Sequence, residues 1–312
     1  MTKSTRSKVV FIGVSTGGSS IMKIFPRWSD ILGINCDIVG IDLPLRAPAD
    51  RYRQALRAII DDQAIKGALI TAHKIDLLRA CRDMFDEFDH YARICAEVSC
   101  IIKRNGQVLG FAKDPISSAQ ALDQLVTPAY WNGSRRDVLC LGAGGAAVAI
   151  SVCMAEANPG GGHPRRFLLA DILPERLTSI RRIHERLDTP VEFEYHLSQS
   201  AADNDALLHG LPAGSLVINA TGLGKDKPGS PLTPAARFPQ AGLIWELNYR
   251  GQRDFMQQAL AQAHAFGLTI EDGWMYFLHG WTEVIAEIFD INLDEDTFNQ
   301  LRAAANDVRK SS

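Results

Sequence analysis

The stretch that decides the fold runs from Asp137 to Ala147 and reads Asp-Val-Leu-Cys-Leu-Gly-Ala-Gly-Gly-Ala-Ala. Five residues typical of a buried strand lead directly into a glycine turn, and a helix is predicted over 148–157. Gly142, Gly144 and Ala147 match the pattern G-x-G-x-x-G/A of dinucleotide-binding turns. The stretch therefore predicts a strand, turn and helix of the Rossmann type.

Each residue of this pattern has a physical reason. Gly142 permits a tight turn out of the strand, and Gly144 lets the backbone approach a pyrophosphate closely. The N–H groups of Gly145 and Ala146 at the helix start are predicted to bind its phosphates, helped by the helix dipole. The alternative is a Rossmann-like domain that has lost its ligand.

A second predicted strand, 166–170, ends at Asp171, where a carboxylate can accept hydrogen bonds from ribose hydroxyls. Asp171 lies 29 residues after Gly142, and the insert Pro159–Pro164 explains this long spacing as a loop. The carboxylate predicts NAD as the cofactor and makes NADP less favourable, because a 2′-phosphate would face like charge. Arg176, two residues into the next helix, is the residue that could instead turn toward a phosphate.

The composition bounds the remaining possibilities. At 312 residues the chain predicts two domains. A net charge of −3 gives no reason to expect nucleic acid or an anionic membrane as a partner. Six cysteines without a C-x-x-C pair predict reduced thiols in a cytoplasmic protein. No stretch reaches the ~18 apolar residues of a membrane span, and no His/Cys/Asp spacing predicts a metal site.

Strands and helices alternate along the whole chain, which predicts parallel α/β sheets in two units. An Asn105-Gly106 turn between two apolar segments predicts a hairpin. The predicted strands are 9–14, 36–43, 67–71, 96–103, 108–111, 137–141, 166–170, 191–195, 216–221 and 243–247. The predicted helices are 21–28, 49–62, 75–84, 116–125, 148–157, 174–187 and 255–266, and a C-terminal helical stretch follows 272–275.

Five segments follow one another along the chain: Gly13 with Ser19, Gly67–Lys74, Gly110–Asp114, the Gly142 turn with Ile218–Gly224, and Asp272–Met275 with His279. Their order resembles that of the shikimate/quinate dehydrogenase family over nearly the whole chain. Ser19 follows Gly13, where the family has a serine loop that holds a substrate carboxylate, and Lys74 ends a segment similar to G-A-N-V-T-V-P-x-K. The other segments are similar to G-x-N-T-D, I-N-A-T-P-x-G and D-G-x-x-M-L-x-x-Q of the family. They are Gly110–Asp114, Ile218–Gly224 beside the Gly142 turn, and Asp272–Met275 with His279.

The resemblance implies roles for residues of both predicted domains. It makes Lys74 the proton-transfer group and Asp114 its partner, whereas by themselves these residues read as a helix-start lysine and a helix-capping aspartate. It implies contacts from the following residues: with the substrate Ser19, Tyr249 and His279, and with the cofactor Asn219, Thr221, Gly222 and Gly273. From the residues themselves, Thr71 and Ser99 can offer hydroxyls to a polyol, and His73 is a candidate second acid/base at the substrate. His73 and Tyr249 can equally be a turn histidine and a core aromatic, and His279 a core histidine.

The chain also departs from the family pattern. Leu69 replaces the asparagine of the lysine motif, His73 its proline, and His279 the C-terminal glutamine. The family's second carboxylate-binding serine falls at Ile21 unless a gap moves Ser20 there, and its ring-hydroxyl asparagine falls at Ser99. We therefore expect hydride transfer from a hydroxylated small molecule other than shikimate.

The sequence thus predicts an α/β protein with two domains. The N-terminal α/β substrate domain is predicted at 1–122, with C-terminal helices 276–312 returning to it, and the NAD(P)-binding Rossmann domain at 123–275. The active site is expected in the cleft between them. The expected activity is that of an NAD-dependent dehydrogenase acting on a small polyol or cyclic hydroxy acid. The alternatives are a true shikimate or quinate dehydrogenase and a dinucleotide-binding regulator without turnover.

Overall fold

The computed structural model describes residues 6–127, 129–132, 135–156, 162–225 and 227–310. The chain divides into two compact units, Met1–Lys113 with Gly280–Ser312, and Asp114–His279. Pro128 and Gly133, and residues 159–161 of the predicted loop, lie outside the described residues. None of the described helices is long and apolar enough to span a membrane.

The unit boundaries differ from the predicted ones at 122/123 and 275/276. Helix α5 (Asp114–Leu122) packs on α6 (Gly145–Glu156), so it belongs to the second unit. Helix α11 (Trp274–Phe289) is continuous across the second boundary, which falls between His279 and Gly280. The elements on which a helix packs decide to which unit it belongs. The sequence of the helix alone does not identify those elements.

The first unit is built on a six-stranded sheet of order β2-β1-β3-β5-β6-β4. Strands β1, β2 and β3 are parallel, whereas β5 runs antiparallel to both β3 and β6. The strands are β1 (Ser7–Gly13), β2 (Cys36–Asp42), β3 (Ile65–Ile70), β4 (Glu87–Phe88), β5 (Cys100–Arg104) and β6 (Gln107–Phe111). Its helices are α1 (Ile21–Leu32), α2 (Ala49–Asp61), α3 (Lys74–Cys81), α4 (His90–Cys95), α12 (Glu295–Lys310) and the 3₁₀ turn Arg82–Met84, with the C-terminal part of α11.

Most predicted elements of this unit are confirmed, including the hairpin of β5 and β6. Asn105 and Gly106 have φ of 54° and 79°, the left-handed values that this turn requires. The predicted strand 96–103 is wrong at its start, because Asp89 caps a short helix α4 that ends at Ala96 with φ of 51°. The buried side chains Val10, Ile12, Leu56, Ile59 and Leu77 form the centre of its core.

The second unit is a six-stranded parallel sheet of order β12-β11-β10-β7-β8-β9. If these strands are numbered 1 to 6 along the chain and the sheet is read from the β9 edge, the order is 3-2-1-4-5-6. This is the order of a doubly wound dinucleotide-binding sheet. Its strands are β7 (Val138–Leu141), β8 (Arg166–Asp171), β9 (Glu192–Leu197), β10 (Leu216–Asn219), β11 (Leu243–Glu246) and β12 (Thr269–Glu271). Its remaining helices are α7 (Pro174–His184), α8 (Ala201–His209), α9 (Asp254–Leu260) and α10 (Ala263–Phe266).

The structure corrects one prediction in this unit and adds two elements that the sequence did not predict. The predicted helix 255–266 is broken into α9 and α10. Helix α8 was not predicted; it begins with a capping box formed by Ser200 and Asp203. The edge strand β12 was not predicted either, because three residues are too few to show an alternating pattern, and it is defined by pairing with β11.

Candidate active site

The glycine turn lies at the carboxyl end of β7, where the strand order of the second sheet reverses. Gly142 has φ of 105°, and a Cβ on it would lie 2.7 Å from the carbonyl oxygen of Ala220. Its N–H donates to the carbonyl oxygen of Ala170 on β8 at 2.7 Å. A Cβ on Gly144 would meet no described atom within 4 Å, so the backbone at the start of α6 is accessible. This turn therefore fits the diphosphate of a dinucleotide.

Asp171 is the last residue of β8 and only 6% of it is exposed. Oδ2 accepts a hydrogen bond from the Ala143 N–H at 2.7 Å, and Oδ1 accepts one from the Leu173 N–H at 2.9 Å. The half-exposed guanidinium of Arg176 approaches Oδ2 to 3.6 Å. The carboxylate predicted to bind ribose therefore also fixes the glycine turn, and its charge is partly balanced by Arg176.

Asn219, predicted to contact the cofactor, is fully buried at the end of β10. Its Nδ2 donates to Glu246 Oε2 at 2.9 Å, and its Oδ1 accepts from the N–H and hydroxyl of Thr221 at 3.2 and 2.7 Å. Gly222 follows with φ of 78°. Asn219 thus shapes the loop that carries Thr221 and Gly222, the other predicted cofactor residues of this segment.

Glu246 was missed by the sequence analysis, although a carboxylate inside the apolar strand β11 was the available signal. It is fully buried, and Oε1 accepts hydrogen bonds from the N–H and Nδ2 of Asn248 at 2.9 and 2.8 Å. Burial raises the pKa of Glu246 to about 7, although the bonds from Asn248 and Asn219 oppose this shift. The Asn248 Nδ2 also donates to the carbonyl oxygen of Leu223 at 2.9 Å, so Glu246 lies at the centre of the loop network.

Gly273 and Tyr249 lie beside this network. A Cβ on Gly273 would lie 1.9 Å from the carbonyl oxygen of Leu247, so only glycine allows the two backbones to approach this closely. The half-buried ring of Tyr249 packs against Trp274 and Phe277, with centroid distances of 5.6 and 4.5 Å. Within the second unit the structure thus brings these two predicted site residues to neighbouring positions.

Asp114 and His279 also belong to the second unit. Asp114 is the first residue of α5, and its Oδ2 accepts a hydrogen bond from the Tyr276 hydroxyl at 3.3 Å. His279 is nearly buried on α11, and its Nε2 lies 3.2 Å from the Nε2 of Gln124. These contacts fix the orientation of both side chains.

Lys74, Thr71 and His73 lie at the carboxyl end of β3 in the first unit. Lys74 begins α3, and its carbonyl oxygen accepts from the Val98 N–H at 3.3 Å. Thr71 is exposed, and its N–H and hydroxyl both donate to the carbonyl oxygen of Ile12. His73 is fully buried: its Nδ1 lies 3.0 Å from the Tyr52 hydroxyl, and its Nε2 meets no hydrogen-bond partner among the described residues.

Ser99 and Ser19 occupy different environments in the same unit. Ser99 is buried next to the end of β3, where its carbonyl oxygen accepts from the Ile70 N–H at 2.9 Å. Its hydroxyl accepts from the Lys113 N–H at 2.7 Å. Ser19 is half-buried before α1, and its N–H donates to the carbonyl oxygen of Thr16 at 2.9 Å. Ser99 therefore shapes the backbone before Asp114, whereas Ser19 keeps an accessible side chain.

The cysteines and the possible metal ligands were also located in the structure. All six cysteines are buried free thiols. Among the described residues, no group of three or more His, Cys, Asp or Glu side chains is placed to hold a metal ion.

The chain is similar to known proteins in sequence and in fold. No family model matches the chain. An NADP-dependent shikimate dehydrogenase of Streptococcus gordonii is 27% identical over 223 residues, which are 68% of this chain and 69% of that protein. The 5-ketofructose reductase of a Gluconobacter strain has the same fold, with a TM-score of 0.71 and 19% identity over 96% of this chain and 99% of that one. The quinate dehydrogenase of Corynebacterium glutamicum has a TM-score of 0.70 and 18% identity, over 96% of this chain and 98% of that one.

The chain is similar in sequence to shikimate dehydrogenases and has the fold of the shikimate/quinate dehydrogenases. Two of its departures from the pattern of that family lie in the first unit. Ile21 and Leu69, which stand at two polar positions of the family pattern, are both buried apolar side chains. The shikimate/quinate dehydrogenase fold is thus retained while the polar groups at these two positions are lost.

Proposed function

We propose that this chain is an NAD(P)-dependent oxidoreductase that takes hydride from a hydroxyl-bearing carbon of a small polyol or cyclic hydroxy acid. The observation that carries the proposal is the glycine turn at the reversal point of a 3-2-1-4-5-6 sheet, with the Asp171 carboxylate bonded to that turn. The names of its relatives and fold neighbours, shikimate dehydrogenase, quinate dehydrogenase and 5-ketofructose reductase, support the same reaction class.

Bound NAD(P) supplies the hydride acceptor, and the remaining chemistry belongs to the chain. The carbon that bears the hydroxyl gives up hydride from its C–H bond while the hydroxyl loses its proton, which requires a positioned base, and the product is a carbonyl group. We assign that role to Lys74 and the orientation of the hydroxyl to Asp114. Gly144, Gly145 and Ala146 are assigned to the diphosphate, and Asp171 to the ribose.

The proposal is tested with Lys74→Ala. Loss of a general base typically lowers the rate about 10²–10⁴-fold, so we expect this loss in kcat with little change in the Kd for NAD(H). Lys66→Ala is the matched control, because Lys66 is exposed on β3, the strand that precedes Lys74, but lies toward the amino end of that strand. Retention of most of the wild-type kcat by Lys74→Ala would refute the assignment.

Two rival functions remain distinguishable. A true shikimate or quinate dehydrogenase is favoured by the names of the relatives and predicts a shikimate kcat/KM above about 10⁴ M⁻¹s⁻¹, an ordinary enzyme value. A regulator without turnover predicts NAD(H) binding and no change in NADH absorbance with any hydroxylated compound. We expect neither outcome, because Leu69 and Ile21 offer shikimate no polar contact.

We further propose NAD as the preferred cofactor. The Asp171 carboxylate supports NAD, because it accepts hydrogen bonds from ribose hydroxyls and repels a 2′-phosphate. The ion pair with Arg176 weakens that repulsion. We expect wild-type protein to bind NAD about tenfold more tightly than NADP, a difference of about 1.4 kcal/mol.

Calorimetric titration of both cofactors checks this preference. Asp171→Asn should reduce the preference, and Arg176→Ala should increase it. Equal or tighter binding of NADP by the wild type, lost in Arg176→Ala, would assign Arg176 to the phosphate and reverse the proposal.

A further inference from the structure

Asp42 is a polar group at the candidate substrate site that the proposed reaction does not use. It is the last residue of β2, and β1 lies between β2 and β3 with all three strands parallel. The Leu43 N–H donates to the carbonyl oxygen of Gly13, and the Thr71 N–H to that of Ile12. Asp42 therefore lies at the same sheet edge as the loops that carry Ser19 and Lys74.

The position of this carboxylate is built into the loop. Oδ1 of Asp42 accepts hydrogen bonds from the N–H and hydroxyl of Thr16, at 2.8 and 2.6 Å. Thr16 is nearly buried, and a Cβ on Gly40 would lie 2.0 Å from its hydroxyl oxygen. The carbonyl oxygen of Thr16 accepts in turn from the Ser19 N–H. Gly40, Thr16 and Asp42 thus form one arrangement that also positions Ser19.

Asp42 keeps a second carboxylate oxygen, Oδ2, that the bonds from Thr16 do not engage. The residue is exposed, and its described contacts involve Oδ1 only, with no lysine, arginine or histidine of the described chain at ion-pair distance. The hydrogen bonds from Thr16 lower the pKa of Asp42 below its ordinary value, because they stabilise the ionised form. The loop after β2 contains Arg46, whose side chain is exposed.

A carboxylate accepts strong hydrogen bonds from hydroxyl groups, and it cannot donate to another carboxylate. We propose that Asp42 is a specificity-determining residue that binds hydroxyl groups of an uncharged polyol, or of its keto form, and excludes substrates that present a carboxylate at this edge. The buried Ile21 agrees with this, because it offers no second hydroxyl to a substrate carboxylate. The inference rests on the proposed function in taking this edge as the substrate site.

The experiment compares an inositol with shikimate, which are ring polyols without and with a carboxylate. The ratio of their kcat/KM values is measured for the wild type and for Asp42→Asn, in which Oδ1 still accepts from Thr16 and the new amide can donate. We expect the wild type to prefer the inositol at least about tenfold and Asp42→Asn to reduce that preference about tenfold. Asp37→Asn is the matched control, because it removes the same charge from the same strand β2 near its amino end, where Asp37 pairs with Arg6.

Each other outcome is decisive. A wild-type preference for shikimate, or a preference that Asp42→Asn leaves unchanged, overturns the inference. Loss of shikimate turnover in Arg46→Ala would also overturn it, since Arg46 would then bind the carboxylate. If neither compound is turned over, neither is the substrate, and the proposed oxidoreductase function is not refuted by that result. Calorimetric Kd values for the same two compounds and variants then decide the role of Asp42, with the same ratios expected.

Discussion

Glu246 is a carboxylic acid placed where water does not reach it. Its pKa of about 7 in the folded chain lies above the ordinary value of 4.5. Between these values the folded state holds a proton that the unfolded state releases. The stabilising contribution of this group is therefore full below about pH 4.5 and is lost as the pH rises through 7.

The raised pKa of Glu246 predicts how the unfolding free energy depends on pH. Between pH 4.5 and 8 the wild type should lose about 3 kcal/mol of unfolding free energy relative to Glu246→Gln. Urea unfolding at both pH values measures the unfolding free energy of each protein. Any pH-independent cost of the new amide beside Asn219 cancels when the values at the two pH values are subtracted. Glu192→Gln, at an exposed position on β9, should leave the wild-type pH dependence unchanged. Parallel pH profiles for wild type and Glu246→Gln would show that Glu246 does not titrate in this range.

The sequence predicted the positions of Gly142 and Asp171 correctly, but it did not predict the groups that they contact. Gly142 was predicted as the turn glycine, and its φ of 105° requires that residue. Asp171 was placed at the end of β8, and its bond to the Ala143 N–H was not foreseen. His73 was predicted near the substrate, and the structure shows a buried ring bonded to Tyr52. Its role in substrate binding stays a prediction.

At the scale of elements, the turn between β7 and α6 gives two glycines with different requirements. Gly142→Ala places a Cβ against the Ala220 carbonyl in a left-handed conformation and should cost at least about 1–2 kcal/mol of unfolding free energy. Gly144→Ala should change stability by less than about 1 kcal/mol. It should nevertheless weaken NAD binding, because the new methyl group occupies the space assigned to the diphosphate.

Chemical unfolding and calorimetric NAD titration separate these effects, and each variant serves as the control of the other. Unchanged NAD affinity in Gly144→Ala would mean that the diphosphate does not approach this residue. A stable Gly142→Ala protein would mean that the turn can relax into another conformation.

Element type was predictable wherever a segment is long and periodic. Helix α2 was predicted at 49–62 and extends over Ala49–Asp61. The short elements β4, α4 and β12 were missed, since two to six residues contain little periodicity. Strands β4 and β12 are stabilised by pairing with β6 and β11, which are distant in sequence, and α4 by the bond from its own Ala92 N–H to the Asp89 carboxylate.

At the scale of the molecule, the C-terminal segment returns to the first unit and closes its core. Trp28 on α1 is fully buried, and its Nε1 donates to the carbonyl oxygen of Leu301 on α12 at 2.8 Å. This bond joins residues 273 positions apart. The stability of α1 therefore depends on the last helix of the chain.

Trp28→Phe should lower the unfolding free energy by about 1–3 kcal/mol, because the Leu301 carbonyl loses its buried donor. Hydrogen exchange should increase in α1 and in α12 together. Trp281→Phe is the control, because it replaces an equally buried indole that packs edge-on against Phe11 at 5.1 Å. Faster exchange in α1 alone, with α12 unchanged in Trp28→Phe, would contradict the coupling.

The sequence by itself determined the α/β class, the Rossmann turn at Gly142, the main strands and helices, and the shikimate/quinate dehydrogenase resemblance, and the comparisons confirm that resemblance. These features follow from local periodicity and from motif residues at fixed spacing. Only the tertiary structure decided that α5 belongs to the second unit, that Glu246 is buried between two asparagines, and that Asp42 is fixed by Thr16. These outcomes depend on burial and on hydrogen bonds between distant segments, which exist only after the chain has folded.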